Sequence, residues 1–264
     1  MKKRWWLLAA VVFVSMLGMA YAQLSNPPFA DQESGVQRIS FIESGKPLYN
    51  MRWQTKRVER GGRNFIDYKL TGDNGQTGAA RIDWTEESQM ELSADGLRTI
   101  NWTKKSTGAE RMTWQLDYDW AAHRVRYNYV DAATGKKEAK TIKIEPGAIS
   151  GDALNFVLRA FPFERGKGYQ IKGQIIMTDG SALSGLIIHL GEEKLSTAFG
   201  TIDTYKLQLK PAGALGVVAP KMYMWFTKSA PHIWLRFDGR DEGLTSPRTM
   251  NTLLEYEPRN WIVR

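Results

Sequence analysis

The sequence predicts an all-β protein: an antiparallel meander forming an open or half-closed barrel-like sheet, with one short helix packed on it. Three observations predict it. Apolar and polar residues alternate with period two along most of the chain, the pattern of strands with one face in a core and the other in water. Glycine, asparagine and aspartate pairs punctuate these runs at short intervals. Between the runs there is no room for the long helical crossovers that parallel strands need.

The elements follow in order. Residues 23–47 are polar and turn-rich, opening with Asn26-Pro27-Pro28, and read as a loose lead-in with one short strand over Val36–Glu43. From Leu48 onward a single β domain is expected to run to Arg264. Ile66, Tyr68 and Leu70 alternate with Asp67 and Lys69, Ile82 and Trp84 with Asp83, and Ile100 and Trp102 with Asn101. Gly61-Gly62, Asp73-Asn74-Gly75, Asp95-Gly96, Thr134-Gly135 and Asp179-Gly180 mark the turns.

The clearest hairpin joins Arg111–Trp120 to His123–Val130. With Trp120 opposite His123, Tyr118 meets Val125, Leu116 meets Tyr127 and Trp114 meets Tyr129, while Asp119 faces Arg124 and Asp117 faces Arg126. Both faces are complementary only in this register, because a slip by one residue sets apolar side chains against charges.

One helix interrupts the meander. Leu154, Val157, Leu158 and Phe161 form a stripe at helical spacing, Asp152 is placed to cap it, and Pro162 stops it. Strands resume over Tyr169–Met177, Ala182–Leu190, Thr201–Lys210, Lys221–Thr227, His232–Asp238 and Thr249–Tyr256. Ile175-Ile176 and Leu186-Ile187-Ile188 are apolar on both faces, so these strands are expected to be covered on both sides, in part by the helix.

Residues 1–22 carry the three parts of a secretory signal. Lys2, Lys3 and Arg4 precede an apolar run from Trp5 to Leu17, and Ala20-Tyr21-Ala22 supplies a small-x-small cleavage site. The run is short for a bilayer span of roughly 20 residues. Cleavage after Ala22 and a periplasmic protein, not integral in the membrane, are the expectation. An outer-membrane barrel is disfavoured by heavily charged strand faces and by a chain ending Trp261-Ile262-Val263-Arg264.

Composition narrows the chemistry. There are no cysteines among 264 residues, which excludes disulfides, thiol nucleophiles and Cys-ligated metals. The net charge of +8 falls to +5 when the leader's three cations are removed, and it is not concentrated in the manner of a nucleic-acid-binding face. Of the three histidines, His189 reads as a hydrogen-bonded structural residue, His232 as a turn contact and His123 as a hairpin-end residue. None has metal-ligand spacing, so no metal and no cofactor are expected. Gly180–Gly185 lacks the spacing and the strand–turn–helix context of a serine-nucleophile elbow. Gly166-Lys167-Gly168 precedes a strand, where a phosphate loop needs a helix. Asp238, Asp241 and Glu242 read as a hairpin turn, lacking the ligand order of a calcium loop. No pair of carboxylates presents itself for glycan hydrolysis, and the reading leans away from an enzyme.

Two features remain as binding leads. Eight of the ten tryptophans follow the leader. If the sheet curves without closing, Trp84, Trp102, Trp114, Tyr118, Tyr127 and Trp225 would floor an apolar concavity able to hold a lipid or another amphipathic ligand. Beside it, the hairpin around Gly61-Gly62 gathers Arg52, Lys56, Arg57, Arg60 and Arg63 as a basic surface. The alternative is an interaction module of an envelope assembly, docking through a sheet edge or an apolar patch.

A resemblance rests on a set of turn and packing motifs: Glu145-Pro146-Gly147-Ala148-Ile149-Ser150-Gly151-Asp152, Arg159-Ala160-Phe161-Pro162, Gly200-Thr201-Ile202-Asp203-Thr204-Tyr205-Lys206-Leu207, Met224-Trp225-Phe226-Thr227 and His232-Ile233-Trp234-Leu235-Arg236-Phe237. Over roughly Leu48 to Tyr256 the chain resembles the exported bacterial domain-of-unknown-function family numbered 3108. The resemblance implies an all-β periplasmic domain with one helix, distantly similar to half-barrel lipoprotein carriers of the envelope, and carries no functional residue.

Overall fold

The computed structural model describes Leu24 and residues 27–213, 220–240 and 247–262. The expected leader and its cleavage site, and Asp241 and Glu242, lie outside the described residues. Alternation produces strands β1 (Gln32–Phe41), β2 (Pro47–Arg60), β3 (Arg63–Asp73), β4 (Ile82–Ser93), β5 (Gly96–Gly108), β6 (Met112–Asp119), β7 (Arg124–Asp131) and β8 (Lys137–Lys143). The two-residue β9 (Ile149–Ser150) leads into helix α1 (Leu154–Val157), which tightens into a 3-10 turn over Leu158–Ala160. The chain finishes with β10 (Gln170–Ile176), β11 (Ala182–Thr197), β12 (Gly200–Pro211), β13 (Met222–Thr227), β14 (Trp234–Gly239) and β15 (Thr249–Glu257).

All these strands form one sheet in the order β8-β7-β6-β5-β4-β3-β2-β1-β15-β14-β13-β12-β11-β10-β9. Every pairing is antiparallel except that of β9 with β10. Two local meanders therefore meet at a central seam, where Ser34 of β1 pairs with Glu257 of β15. The strand expected over Val36–Glu43 begins earlier, at Gln32, and occupies the middle of the sheet. Gly61 and Gly62 hold positive φ (60° and 73°) at the β2–β3 tip, a conformation open to glycine at little steric cost.

The β6–β7 register is the one the sequence predicts: Asp119 opposite Arg124, Tyr118 opposite Val125, Asp117 opposite Arg126, Leu116 opposite Tyr127 and Trp114 opposite Tyr129. Asp119 and Arg124 form an ion pair at 3.1 Å. Asp117 instead accepts a hydrogen bond from its same-face neighbour Gln115.

The sheet stays open, for β8 and β9 do not pair. Its two ends nevertheless approach by packing. Trp102, Leu116, Tyr118, Val125 and Tyr127 from β5–β7 form one cluster with Ile144, Ala148 and Ile176. The Glu145 amide donates to the Gln174 side chain across the gap, and Gly180 lies against the Tyr127 ring, where a Cβ would stand 2.6 Å away.

The helix does not cover the outside of the sheet; it fills the inside. Phe156, Val157 and Leu158 are each at most 2% exposed, and full burial of such side chains contributes about 1.5–3 kcal/mol apiece. The Phe156 ring lies 5.3 Å from Phe29, 5.8 Å from Trp53 and 5.7 Å from Tyr68. Further along, Phe163 stacks on Tyr205 at 4.4 Å and meets Phe226 at 6.0 Å. The segment from α1 to Phe163 is thus an apolar plug joining the inner faces of both meanders.

Candidate functional site

The plug decides where a ligand can go. Phe156, Phe161 and Phe163 occupy the concavity that the aromatic stripe would otherwise have left open, because a concave apolar sheet and an amphipathic helix each bury most area against the other. By strand parity Trp84, Trp102, Trp114, Tyr118 and Tyr127 share the inner face, and Trp225 does not. Trp84 stands edge-on to Tyr49 at 5.3 Å, under the Lys104 ammonium. Trp102, Tyr118 and Tyr127 belong to the cluster that draws the sheet ends together, and Trp114 packs on Tyr129 beside it. Trp225 lies on the other face of β13: it alternates with Met224 and Phe226, pairs with Lys206 and Arg236, and lies beneath both cations, at 4.7 and 5.1 Å. Its indole N–H donates to Glu193. Strand parity alone separates Trp225 from its neighbours.

Two buried polar constellations fix the plug, and neither stands out in the sequence. Asp152 does not cap α1; Ala153 holds that position, without a side-chain cap. The Asp152 carboxylate turns to the sheet and accepts hydrogen bonds from Ser88 (2.7 Å), Thr99 and Ser150, which offer an enclosed carboxylate more than two backbone amides could. Ser150 shares a further hydrogen bond with the Tyr118 hydroxyl. Burial pushes the Asp152 carboxyl above the ordinary carboxylate range; the hydroxyl donors from Ser150 and Ser88 oppose that rise, and Glu86 adds to it. Burial also raises the Tyr118 and Tyr68 hydroxyls, with Asp152 contributing to both.

The second constellation is a buried ion pair. Arg159, in the middle of the plug, reaches Glu33 of β1 through two bonds of 3.0 and 2.8 Å, with side chains 3% and 0% exposed. Glu33 also accepts from the Ala30 amide and the Tyr256 hydroxyl, and Arg159 donates to the Pro28 carbonyl.

The histidines divide. His123 closes the β6–β7 turn with φ of 49°. His232 directs Nδ1 to the Thr227 carbonyl at 2.9 Å, and burial lowers its pKa against the opposing effects of that contact and of Glu164. His189 departs from the expectation of a hydrogen-bonded residue. It is 2% exposed among Phe161, Phe163 and Tyr205, and neither ring nitrogen has a hydrogen-bond partner among the described residues. The aromatic walls supply packing and no acceptor. Among the described residues no group of three His, Asp or Glu is placed to hold a metal ion, and Asp238 is engaged by Arg236 at 2.6 Å.

The basic residues of the β2–β3 hairpin separate in the same way. Arg60 pairs with Asp67 and Arg63 with Glu91, both at 2.6 Å. Arg52 and Lys56 project from the outer face, each lining one of two adjoining hollows of about 350 and 440 Å³ that share Ser34, Gln54 and Glu257. Arg57 alone reaches the end of the barrel. There it lines an open cavity of about 590 Å³ with Pro27, Pro28, Phe29, Asn64, Leu92, Ser93, Ala94, Pro231 and Trp261. No ion pair engages Arg57 among the described residues. This mouth cavity is within the roughly 300–1,000 Å³ typical of small-molecule sites. Its residues come from the lead-in, three hairpin ends and the last turn of the chain, a grouping with no signature in any one stretch of sequence.

The model of a family described as proteins of unknown function, DUF3108, matches residues 38–242. The chain belongs to this family. None of the curated proteins matches this DUF3108 chain. Solved structures similar to it include a β-barrel-like DUF1849 protein from Brucella abortus, with a TM-score of 0.48 and 7% identity over 85% of this chain and 96% of that one. A protein with a YmcC-like fold from Bacteroides fragilis, described as exported, gives 0.38 and 8% over 87% and 97%. One from Parabacteroides distasonis, described as a lipoprotein, gives 0.34 and 11% over 87% and 97%. No helix among the described residues is long and apolar enough to cross a membrane.

Proposed function

We propose that this DUF3108 protein is a non-enzymatic binding protein of the cell envelope that takes an anionic amphipathic ligand at the mouth of its half-barrel. The observation that carries the reading is the mouth cavity itself, with prolines and aromatic rings in its lining and one guanidinium, Arg57, that no ion pair engages among the described residues. Apolar walls supply non-directional affinity. A guanidinium facing them selects a carboxylate or phosphate head group, which it can grip through two parallel hydrogen bonds. Placement in the envelope rests on the leader-like residues 1–22.

Titration calorimetry with oleate, dodecyl phosphate and dodecanol tests the reading. Saturable binding of the two anions is expected, with the alcohol weaker. Arg57→Gln should weaken the anions by about tenfold or more, since hydrogen bonds to charged groups are worth roughly 1.5–3 kcal/mol. Absence of saturable binding, or affinities untouched by Arg57→Gln, would overturn it.

A further inference from the structure

We infer that the free edge of β8 receives an extended, acidic segment of a partner protein as an added strand. β8 ends the sheet; among the described residues no backbone hydrogen bond reaches its outer edge, and the Gln174 side chain donates to the Lys143 carbonyl at the strand's end. Every residue from Lys137 to Lys143 is exposed except Ile142, which is half-buried. An unpaired edge of this length is a ready template for another strand.

The side chains specify what that strand must be. Lys137 and Lys143 point to the outer face together with Arg126 of β7, and none of the three pairs with a carboxylate among the described residues. The inner face differs. There Lys140 is already paired with Glu138 at 3.4 Å and lies over the Tyr127 ring, and the β10–β11 turn packs beside Lys140 and Tyr127. That turn opens with Met177, one of two exposed large apolar side chains among the described residues. A complementary strand therefore carries acids at the positions facing outward and apolar residues at those facing inward. A second copy of this chain in full register is disfavoured. Full antiparallel overlap of two β8 strands would set Lys137 against Lys143 twice and Lys140 against itself, and like charges directly opposite are destabilising.

The proposal is independent of the mouth cavity, and its test uses another probe. A fluorescein-labelled, end-blocked seven-residue peptide alternating glutamate and valine is titrated into the purified protein and followed by anisotropy. Saturable binding is expected at 50 mM NaCl, weakening severalfold at 300 mM as screening shortens, with new hydrogen-exchange protection confined to residues 137–143. The exposed double variant Lys137→Glu/Lys143→Glu, shown to be folded by circular dichroism, should bind about tenfold more weakly or worse. The proposal is overturned by no saturable binding, in which case the lysines only guard the edge. Equal affinity for a lysine–valine peptide, an unaffected double variant, or protection at 137–143 through concentration-dependent self-association would overturn it too.

Discussion

Replacing Glu33 by glutamine keeps the shape of the side chain and removes one charge from the ion pair that holds the plug's cation. The two carboxylate oxygens receive four donors: the Ala30 amide and Arg159 Nη1 on one, Arg159 Nη2 and the Tyr256 hydroxyl on the other. The Arg159 guanidinium lies beside the rings of Phe29 and Phe156, at 5.2 and 5.1 Å. Glu33→Gln therefore strands a guanidinium in an apolar setting and turns an amide N–H toward it. Breaking one partner of a buried pair costs about 3–5 kcal/mol, a large share of the roughly 5–15 kcal/mol that holds a domain folded. Arg159→Met should cost less, because the Ala30 and Tyr256 donors still satisfy the carboxylate. The double variant removes both charges, leaves the Tyr256 hydroxyl with an acceptor, and should be more stable than Glu33→Gln alone. Urea unfolding of the four proteins closes the cycle, with a coupling of at least about 2 kcal/mol expected for groups in direct contact. Additive single effects, or a Glu33→Gln cost below about 1 kcal/mol, would refute the reasoning. Because the pair also holds Pro28 and Ala30, Glu33→Gln is expected to weaken oleate binding at the mouth as well.

Two further outcomes follow from named contacts. Gly72 lies under the Trp84 indole, where an added Cβ would stand 2.3 Å from the ring; Gly72→Ala should cost about 1–3 kcal/mol by overpacking, and Trp84→Phe added to it should recover part of the loss in urea melts. Asp152 has its folded-state pKa raised by burial, so the folded state holds the extra proton between the ordinary and the raised value, and stability from this group falls as pH rises through that window. Asp152→Asn removes the titration, so the stability of wild type relative to the variant should be smaller at pH 7 than at pH 4; the opposite trend in denaturation at the two pH values would sink the assignment.

What was legible in the sequence was local. The β6–β7 register follows from strand parity because Tyr118 and Val125 on one face, and Asp119 and Arg124 on the other, agree on a single alignment. The strand positions of the second meander follow for the same reason, although β11 runs past Leu190 to Thr197 through an irregularity at Gly191 that alternation does not anticipate. The stripe Leu154, Val157, Leu158 announces a buried helix but not the side of the sheet it packs against, since either side buries the same residues. Arg159 falls off that stripe, and nothing in its neighbourhood announces a carboxylate 126 residues away. A lone arginine within Val157–Phe163 was the available signal. The basic hairpin shows the limit of composition: Arg60 and Arg63 are matched by acids one strand over, and only the fold shows that Arg57 has none among the described residues.

The seam between β1 and β15 also sets the order in which the molecule can be completed. A chain emerging N-terminus first can zip β1 through β8 as successive hairpins, each needing only a short loop to close. β1 then waits as an open flank in the middle of the future sheet until β15, more than two hundred residues later, arrives to cover it. Non-local closure of this kind is slow because the chain entropy is lost before the contacts reward it. During that interval Ile39, Met51 and Trp53 face a cavity whose plug and opposite wall have yet to be threaded. The most vulnerable moment in the life of this protein therefore comes just before its last strand docks, when a stray strand from a neighbouring chain competes for the same flank.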